Sequence, residues 1–320
     1  MGIVDTVCIG SATVDHFLTI EQPFTSLHLG DKVLVTAKES HSGGGATNVG
    51  AGVATLGLNV KILAKVGQDM EAKFIRRDMQ KYGIKNLCRH TSTKNTDFST
   101  IISSTKEKDR LILVHKGASQ DLNRHDFDKR QLQARWIYLS SLLGKSMEIG
   151  KEIARYAQQE KIRLLFNPSL YLAKKGKSFL KPILDAASML VLNLEEAQAL
   201  VNTSSKDQEL LLFRLQKTGP KTVIITNGAK KLYALHEQKV YSLTPPNVKV
   251  VHTAGAGDAF TAGVLAGMLK NYLFEDALRL GQVNAGSVVQ HIGTKNKLLT
   301  EKEAKEQMRQ FKIKVYRHAC

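Results

Sequence analysis

Short apolar runs recur along the chain, spaced so that one amphipathic helix fits between neighbours. Residues 3–9, 60–66, 136–139, 163–166, 189–192 and 222–226 are compact and rich in β-branched or aromatic side chains, and they read as buried strands. Between them, residues 49–56, 72–82, 148–159, 195–201 and 209–216 carry apolar positions at helical spacing. This alternation predicts an α/β fold, a mostly parallel sheet with helices on both faces. In such sheets ligands sit at the carboxyl ends of the strands.

Two stretches break the rhythm. Residues 13–20 and 33–37 are strand-like and joined by a loop containing Pro23 and Gly30. Residues 98–103 and 111–115 are strand-like and joined by the charged turn 106–110. All four read as antiparallel ribbon, a small β lid made of residues 12–40 and 97–115. The large domain is then 1–11, 41–96 and 116–320. Irregular decoration of the main sheet's edge is the competing reading. Some combination of residues such as Phe17, Leu34, Ile101 and Leu113 would supply an apolar lid face that two copies could bury, making a homodimer. The last third, at 256–269, 275–290 and 300–312, reads as consecutive helices.

Composition narrows the classes. Apolar residues make up 42% of the 320 residues, which argues against disorder. No run is long enough for a transmembrane helix, and Asp5 within the first apolar stretch fits a strand better than a signal peptide. Cys8, Cys88 and Cys320 are scattered, so neither a disulfide framework nor a zinc site is implied, and a reducing cytoplasm fits. The net charge of +17 admits nucleic acid or anionic small molecules as partners. The basic residues are spread evenly and aromatics do not interleave with them, so a solvated surface is the plainer reading and nucleic acid is disfavoured.

Two glycine-rich segments carry the chemistry. In Thr253-Ala-Gly-Ala-Gly-Asp-Ala-Phe260 the backbone of Ala254, Gly255, Ala256 and Gly257 can point successive N–H groups into one concavity. After a strand-like 248–251 and at the head of a helix, that makes an anion nest. Asp258, in the first turn, is placed to take a proton from an attacking hydroxyl. An Asp that only caps the helix is the plain alternative. Ser42-Gly-Gly-Gly-Ala-Thr-Asn48 ahead of a helix imitates a dinucleotide fingerprint. However, Asn48 replaces its third glycine, and Lys65 falls where a ribose-binding acid is needed. Bare backbone at Gly43 and Gly44, with the amide of Asn48 and the carboxylate of Asp15, suits a polyhydroxylated ligand instead. Leu139-Ser-Ser-Leu-Leu-Gly-Lys-Ser146 lacks the first glycine of a phosphate loop and counts as a chance match.

Together these segments resemble the ribokinase-like PfkB family of carbohydrate kinases over essentially the whole chain. Gly43–Gly57 matches its first signature and Thr253–Phe260 its second. Asn193-Leu-Glu-Glu196 matches its N-x-x-E element and Thr226-Asn-Gly228 its T-x-G turn. The resemblance implies transfer of the γ-phosphoryl group of ATP, with Mg²⁺, to a hydroxyl, of hydroxymethyl type, on a sugar or sugar derivative. A nucleoside acceptor is the alternative, with Phe17 or Phe98 as a wall for its base. Asp15, Gly43, Gly44 and Asn48 would hold the acceptor, Asp258 would be the base and residues 254–257 the anion hole. Asn193, Glu196, Thr226, Gly228, Gln282 and Gly293 would serve the nucleotide, with Glu196 reaching the metal through water and Gly293 further along the adenine wall. Three positions depart from the family: Ala72 replaces the last glycine of G-x-D-x-x-G, Gln282 is longer than the usual Asn or His, and His252 stands where many members have an Asp. That Asp helps to hold a monovalent cation, so His252, an expected hydrogen-bond donor to the loop, argues against such a cation.

Overall fold

The computed structural model describes residues 3–84, 88, 91–107, 110–311 and 314–318. Cys320, Lys312 and part of the turn 106–110 lie outside them. In chain order the first elements are β1 (Val4–Ile9), β2 (Thr13–Ile20), β3 (Val35–Gly43), α1 (Gly45–Thr55), β4 (Val60–Leu63), α2 (Met70–Gln80), β5 (Asp97–Ser104) and β6 (Arg110–His115). Next come β7 (Ala134–Ser140), α3 (Ser146–Gln159), β8 (Arg163–Asn167), α4 (Leu170–Ala173), α5 (Gly176–Ala186), β9 (Met189–Asn193), α6 (Leu194–Val201) and α7 (Gln208–Gln216). The chain closes with β10 (Thr222–Asn227), β11 (Lys230–His236), β12 (Lys239–Leu243), α8 (Ala256–Leu269), α9 (Phe274–Val288), α10 (Glu301–Phe311) and β13 (Val315–His318).

Nine strands form one sheet in the order β13-β12-β11-β10-β9-β8-β7-β1-β4. From β10 to β4 every pairing is parallel, and β11, β12 and β13 add an antiparallel flank. Side chains alternate between two buried layers. Cys8, Leu165, Val191 and Ile224 face the layer containing α1, α8 and α9. Val7, Ile9, Phe166, Leu190 and Ile225 face the layer of α3, α5 and α7. Full burial on both faces explains why these strands read as continuous apolar runs. Helix α8 is almost wholly buried, and its small residues let its neighbours close in: a Cβ on Gly263 would lie 2.6 Å from the Gly281 Cα of α9.

A second, four-stranded sheet runs β3-β2-β5-β6. The four lid stretches therefore fall together, with three corrections. β2 and β5 pair in parallel, so the sheet is not a pure antiparallel ribbon. β3 runs past residue 40 as far as Gly43 and feeds directly into α1. Nor do all four anticipated apolar residues share one surface. Phe17 pairs with Ile101, Leu113 sits opposite Thr100 on the other face, and Leu34 precedes β3. Two more expectations fail: 248–251 forms no strand, and α1 begins at Gly45, so Asn48 lies inside its first turn. Asp69 caps α2 by accepting from the Ala72 N–H at 2.9 Å, so Ala72 costs the helix start nothing.

Candidate functional site

The chain crosses from β3 to α1 at Gly44, whose φ of 101° a residue with a Cβ resists, and where a Cβ would meet the Ser11 carbonyl at 2.5 Å. The turn stacks Gly43 against Asp15 of β2: a Cβ at 43 would lie 2.2 Å from Asp15 Oδ2. Asp15 Oδ1 accepts from the Ser99 hydroxyl. One helical turn on, Asn48 is 4% exposed and donates from Nδ2 to Asp258 Oδ2 at 2.7 Å. The two glycine-rich signatures thus meet side chain to side chain.

Asp258 stands in the first turn of α8, whose N-cap Gly255 has φ 82° and backs onto Thr294, where a Cβ would meet the carbonyl at 2.2 Å. Burial pushes the Asp258 carboxyl up to about 6, against the pull of Asn48 and Lys295. Of the amides expected to form an anion nest, that of Ala254 donates to His252 Nδ1 at 3.3 Å and that of Ala256 to the Thr253 carbonyl at 3.3 Å. Gly255 and Gly257 line the cavity directly. His252 is therefore an acceptor to the loop, where a donor was expected. Burial foremost, then Arg110, lowers its pKa.

This cavity, about 930 Å³, opens at the carboxyl ends of the parallel strands, as the strand pattern requires. Ser11, Tyr138, Ser140 and Asn167 line it together with Asp258 and Glu196. Asn193 and Glu196 form a reciprocal cap on α6: Glu196 Oε2 accepts from the Asn193 N–H at 2.8 Å and Asn193 Oδ1 from the Glu196 N–H at 2.9 Å. Burial raises the Glu196 carboxyl to about 7, with Asp258 adding repulsion. A second cavity of about 640 Å³ adjoins the first through Asn193, Thr226 and Gly257. Its walls are Phe260, Gln282 and Gly286 on one side, and the β10–β11 turn at Gly228 with Pro245 and Val248 on the other.

The structure thus brings together Asp15, Gly43, Gly44, Asn48 and Asp258, and gathers Asn193, Thr226, Gly228 and Gln282 around the second cavity. Gly293 is the exception. It lies against His41 of β3, where a Cβ would come within 2.9 Å of Nδ1, and is not on the wall beside Gln282. Lys65, at the place of a ribose-binding acid, is buried in an ion pair with Asp126 and lines neither cavity. Ser146, at the end of the phosphate-loop look-alike, accepts from the Leu122 N–H at 2.8 Å. Sequence reasoning missed Ser42, Asp78, Thr294 and Lys295, which pack behind Asn48. Ser42 opens the second glycine-rich segment but no local motif marks the other three, because the four converge only when β3, α2 and the loop after α9 are assembled.

A family model described as pfkB family carbohydrate kinase matches residues 5–301. The chain is 24% identical over 305 residues to the ribokinase of Haemophilus influenzae, covering 93% of this chain and 96% of that one. It is 22% identical over 313 residues to the nucleoside kinase of Methanocaldococcus jannaschii, with coverage of 96% and 97%. The solved structure of the latter kinase matches with a TM-score of 0.80 at 21% identity, covering 97% of this chain and 100% of that one. Arabidopsis thaliana ribokinase complexed with ribose and ATP matches at 0.83 and 20%, covering 96% and 99%.

Proposed function

We propose the following for this chain, which belongs to the pfkB family of carbohydrate kinases and is a phosphotransferase with an alcohol acceptor: it moves the γ-phosphoryl group of ATP to a hydroxyl, of hydroxymethyl type, on a sugar or sugar derivative. The observation that carries this reading is the 2.7 Å contact between Asn48 and Asp258, which joins an acceptor-binding amide to a carboxylate facing the cavity. Asp258 takes the proton of the attacking hydroxyl. Asp15 and Asn48 orient that hydroxyl with the backbone of Gly43 and Gly44 close behind it. The turn 254–257 and the start of α8 hold the charge on the transferred group, the glycine amides directly and those of Ala254 and Ala256 by exchanging their present acceptors. The base and ribose of the nucleotide fit the second cavity, against Gln282, Thr226 and Gly228, and Gly293 is left out of that role.

A divalent cation fits beside Glu196. Its carboxyl is half-buried and raised, and Mg²⁺ binds through one or two carboxylates together with phosphates and its own waters. When bound, it neutralises phosphate charge. His252 puts an imidazole where a carboxylate would favour a monovalent cation, so we expect weak or absent activation by K⁺. Residues 12–40 and 97–115 act as a lid over the domain formed by 1–11, 41–96 and 116–320. The exposed edge strand β6, where Leu111, Ile112, Leu113 and Val114 are 48–59% exposed, is the surface through which two lids would pair. A reducing cytoplasm, where ATP is plentiful, suits the free thiols of Cys8 and Cys88.

A nucleoside acceptor is the second reading, favoured by Phe17. It shares a face with Asp15 and meets the rings of His41 and His252 edge-on at 5.6 and 5.1 Å. Phe98 lies on the opposite face, stacked on His115, and cannot serve that wall. ATP consumption over D-ribose, D-fructose, 2-keto-3-deoxygluconate and adenosine separates the readings. Asp258→Asn is expected to lower turnover by about 10²–10⁴-fold while nucleotide binding stays within a few-fold. Turnover near wild type would show that Asp258 is not the base.

A further inference from the structure

Behind the two signatures lies a buried cation. Lys295, on the loop between α9 and α10, is 6% exposed. Its ammonium donates to the Ser42 carbonyl, to Ser42 Oγ at 2.8 Å and to Asn48 Oδ1 at 3.1 Å, with Asp78 Oδ2 of α2 at 3.6 Å. Thr294 Oγ1 also approaches Asn48 Oδ1, at 3.0 Å. An amide offers an acceptor on one side and donors on the other. Here the acceptor side faces a cation and the donor side faces the Asp258 carboxylate. Turned through half a circle, the amide would set its NH₂ against the ammonium and its oxygen against the carboxylate, replacing two attractive contacts with two repulsive ones.

We propose that Lys295 is a positioning residue for the transfer: its buried ammonium fixes the Asn48 amide with the NH₂ toward Asp258, and so sets where base and acceptor hydroxyl meet. This rests on Asp258 being the base. A side chain that only filled space here would not need a charge, since an apolar residue of similar volume commonly replaces a buried ion pair at no loss of stability. Burial pushes the Lys295 ammonium down to about 8, against the pull of Asp78, Asp15 and Asp258. Among the described residues, the charged or titratable groups facing Asp258 are Lys295, Asp15 of β2, Tyr138 of β7 and Glu196 of α6. Lys295 is the one cation among them, so its removal raises the Asp258 carboxyl further.

The test removes the ion pair as a unit, because Lys295→Met alone would strand the Asp78 carboxylate. In Lys295→Met/Asp78→Asn, kcat/KM for whichever of ribose, fructose, 2-keto-3-deoxygluconate and adenosine is phosphorylated should fall by about 100-fold. KM for ATP should hold within about two-fold, because those contacts lie elsewhere. The Asp258 carboxyl, titrated by ¹³C NMR without any substrate, should move to higher pH, and Asp78→Asn alone, which takes away the carboxylate that most favours the Lys295 ammonium, should shift both readouts the same way. A folded double variant with unchanged kcat/KM and unchanged Asp258 titration overturns the proposal. Should that variant not fold, the wild type decides. The Asn48 side-chain NH₂ signals should shift as Lys295 titrates near 8, and their indifference would equally overturn it. Asp258→Asn separates the two ideas: if it turns over normally the base assignment fails, whereas a dead Asp258→Asn beside an unimpaired double variant removes only the role of Lys295.

Discussion

Asp258 and Glu196 are carboxyl groups that burial holds above their ordinary range, at about 6 and about 7. In the roles proposed above, Asp258 as base and Glu196 as support for a cation, both must be ionised. Activity should therefore rise with pH through these values, and kcat/KM should show its acid limb between about 6 and 7. A rate plateau extending down to pH 5 in steady-state assays would contradict it. The sign for stability is opposite. Both groups bind protons more tightly when folded, so their contribution is full below the unfolded carboxylate range of about 4 and is lost as pH rises from there through the folded values of about 6 and about 7. Thermal unfolding of the ligand-free protein should thus weaken where turnover strengthens. At this scale the sequence was readable where chemistry is contiguous. Asp258 and Asn48 each sit at the end of a glycine-rich stretch, and Asp15 lies just past the first strand. Lys295 was not readable, because nothing near it in the chain forecasts that Ser42 and Asp78 will close around it.

The passage from β3 into α1 couples a sheet edge to a helix start with no loop between them. Gly43 has no room for a side chain, since a Cβ would press on Asp15 Oδ2 at 2.2 Å and Thr13 Oγ1 at 2.9 Å. Gly43→Ala should displace the Asp15 carboxylate and raise the acceptor KM by about 10-fold or more, leaving the ATP KM unchanged. Initial rates with each substrate varied in turn measure this, and an unchanged acceptor KM would separate Asp15 from the acceptor. The parallel strands were legible because burial on both faces makes them apolar throughout. β11, β12 and β13 were not, because β11 and β12 of this antiparallel flank begin with lysines and the flank joins the parallel strands only along β10. The apolar residues at 248–251 misled for the opposite reason. Val248 and Val250 line a cavity wall as irregular backbone, and Val250 and Val251 stay 53% and 49% exposed, so no sheet takes them up.

Across the whole molecule, both sheets reach the larger cavity, the four-stranded one through Val114 of β6 and the nine-stranded one through Tyr138, Ser140, Asn167 and Asn193. If the small sheet closes over bound acceptor to exclude water, amide exchange should slow in β2, β3 and β5 when a phosphorylatable acceptor is added at saturation. Unchanged exchange there would leave the small sheet as a fixed wall. The division into two sheets was legible from the break in alternation. The parallel pairing of β2 with β5 was not, since strand direction depends on how the chain returns after α1, β4 and α2. That pairing has a consequence for biogenesis. The β2–β3 hairpin leaves the ribosome early, yet its other neighbour arrives only after those intervening elements, and the edge it presents meanwhile is a template for mispairing. Asn48 waits longer still for Asp258, through most of translation. A nascent or truncated chain therefore has no working site however well its first half folds, and refolding from denaturant should recover secondary structure before it recovers turnover.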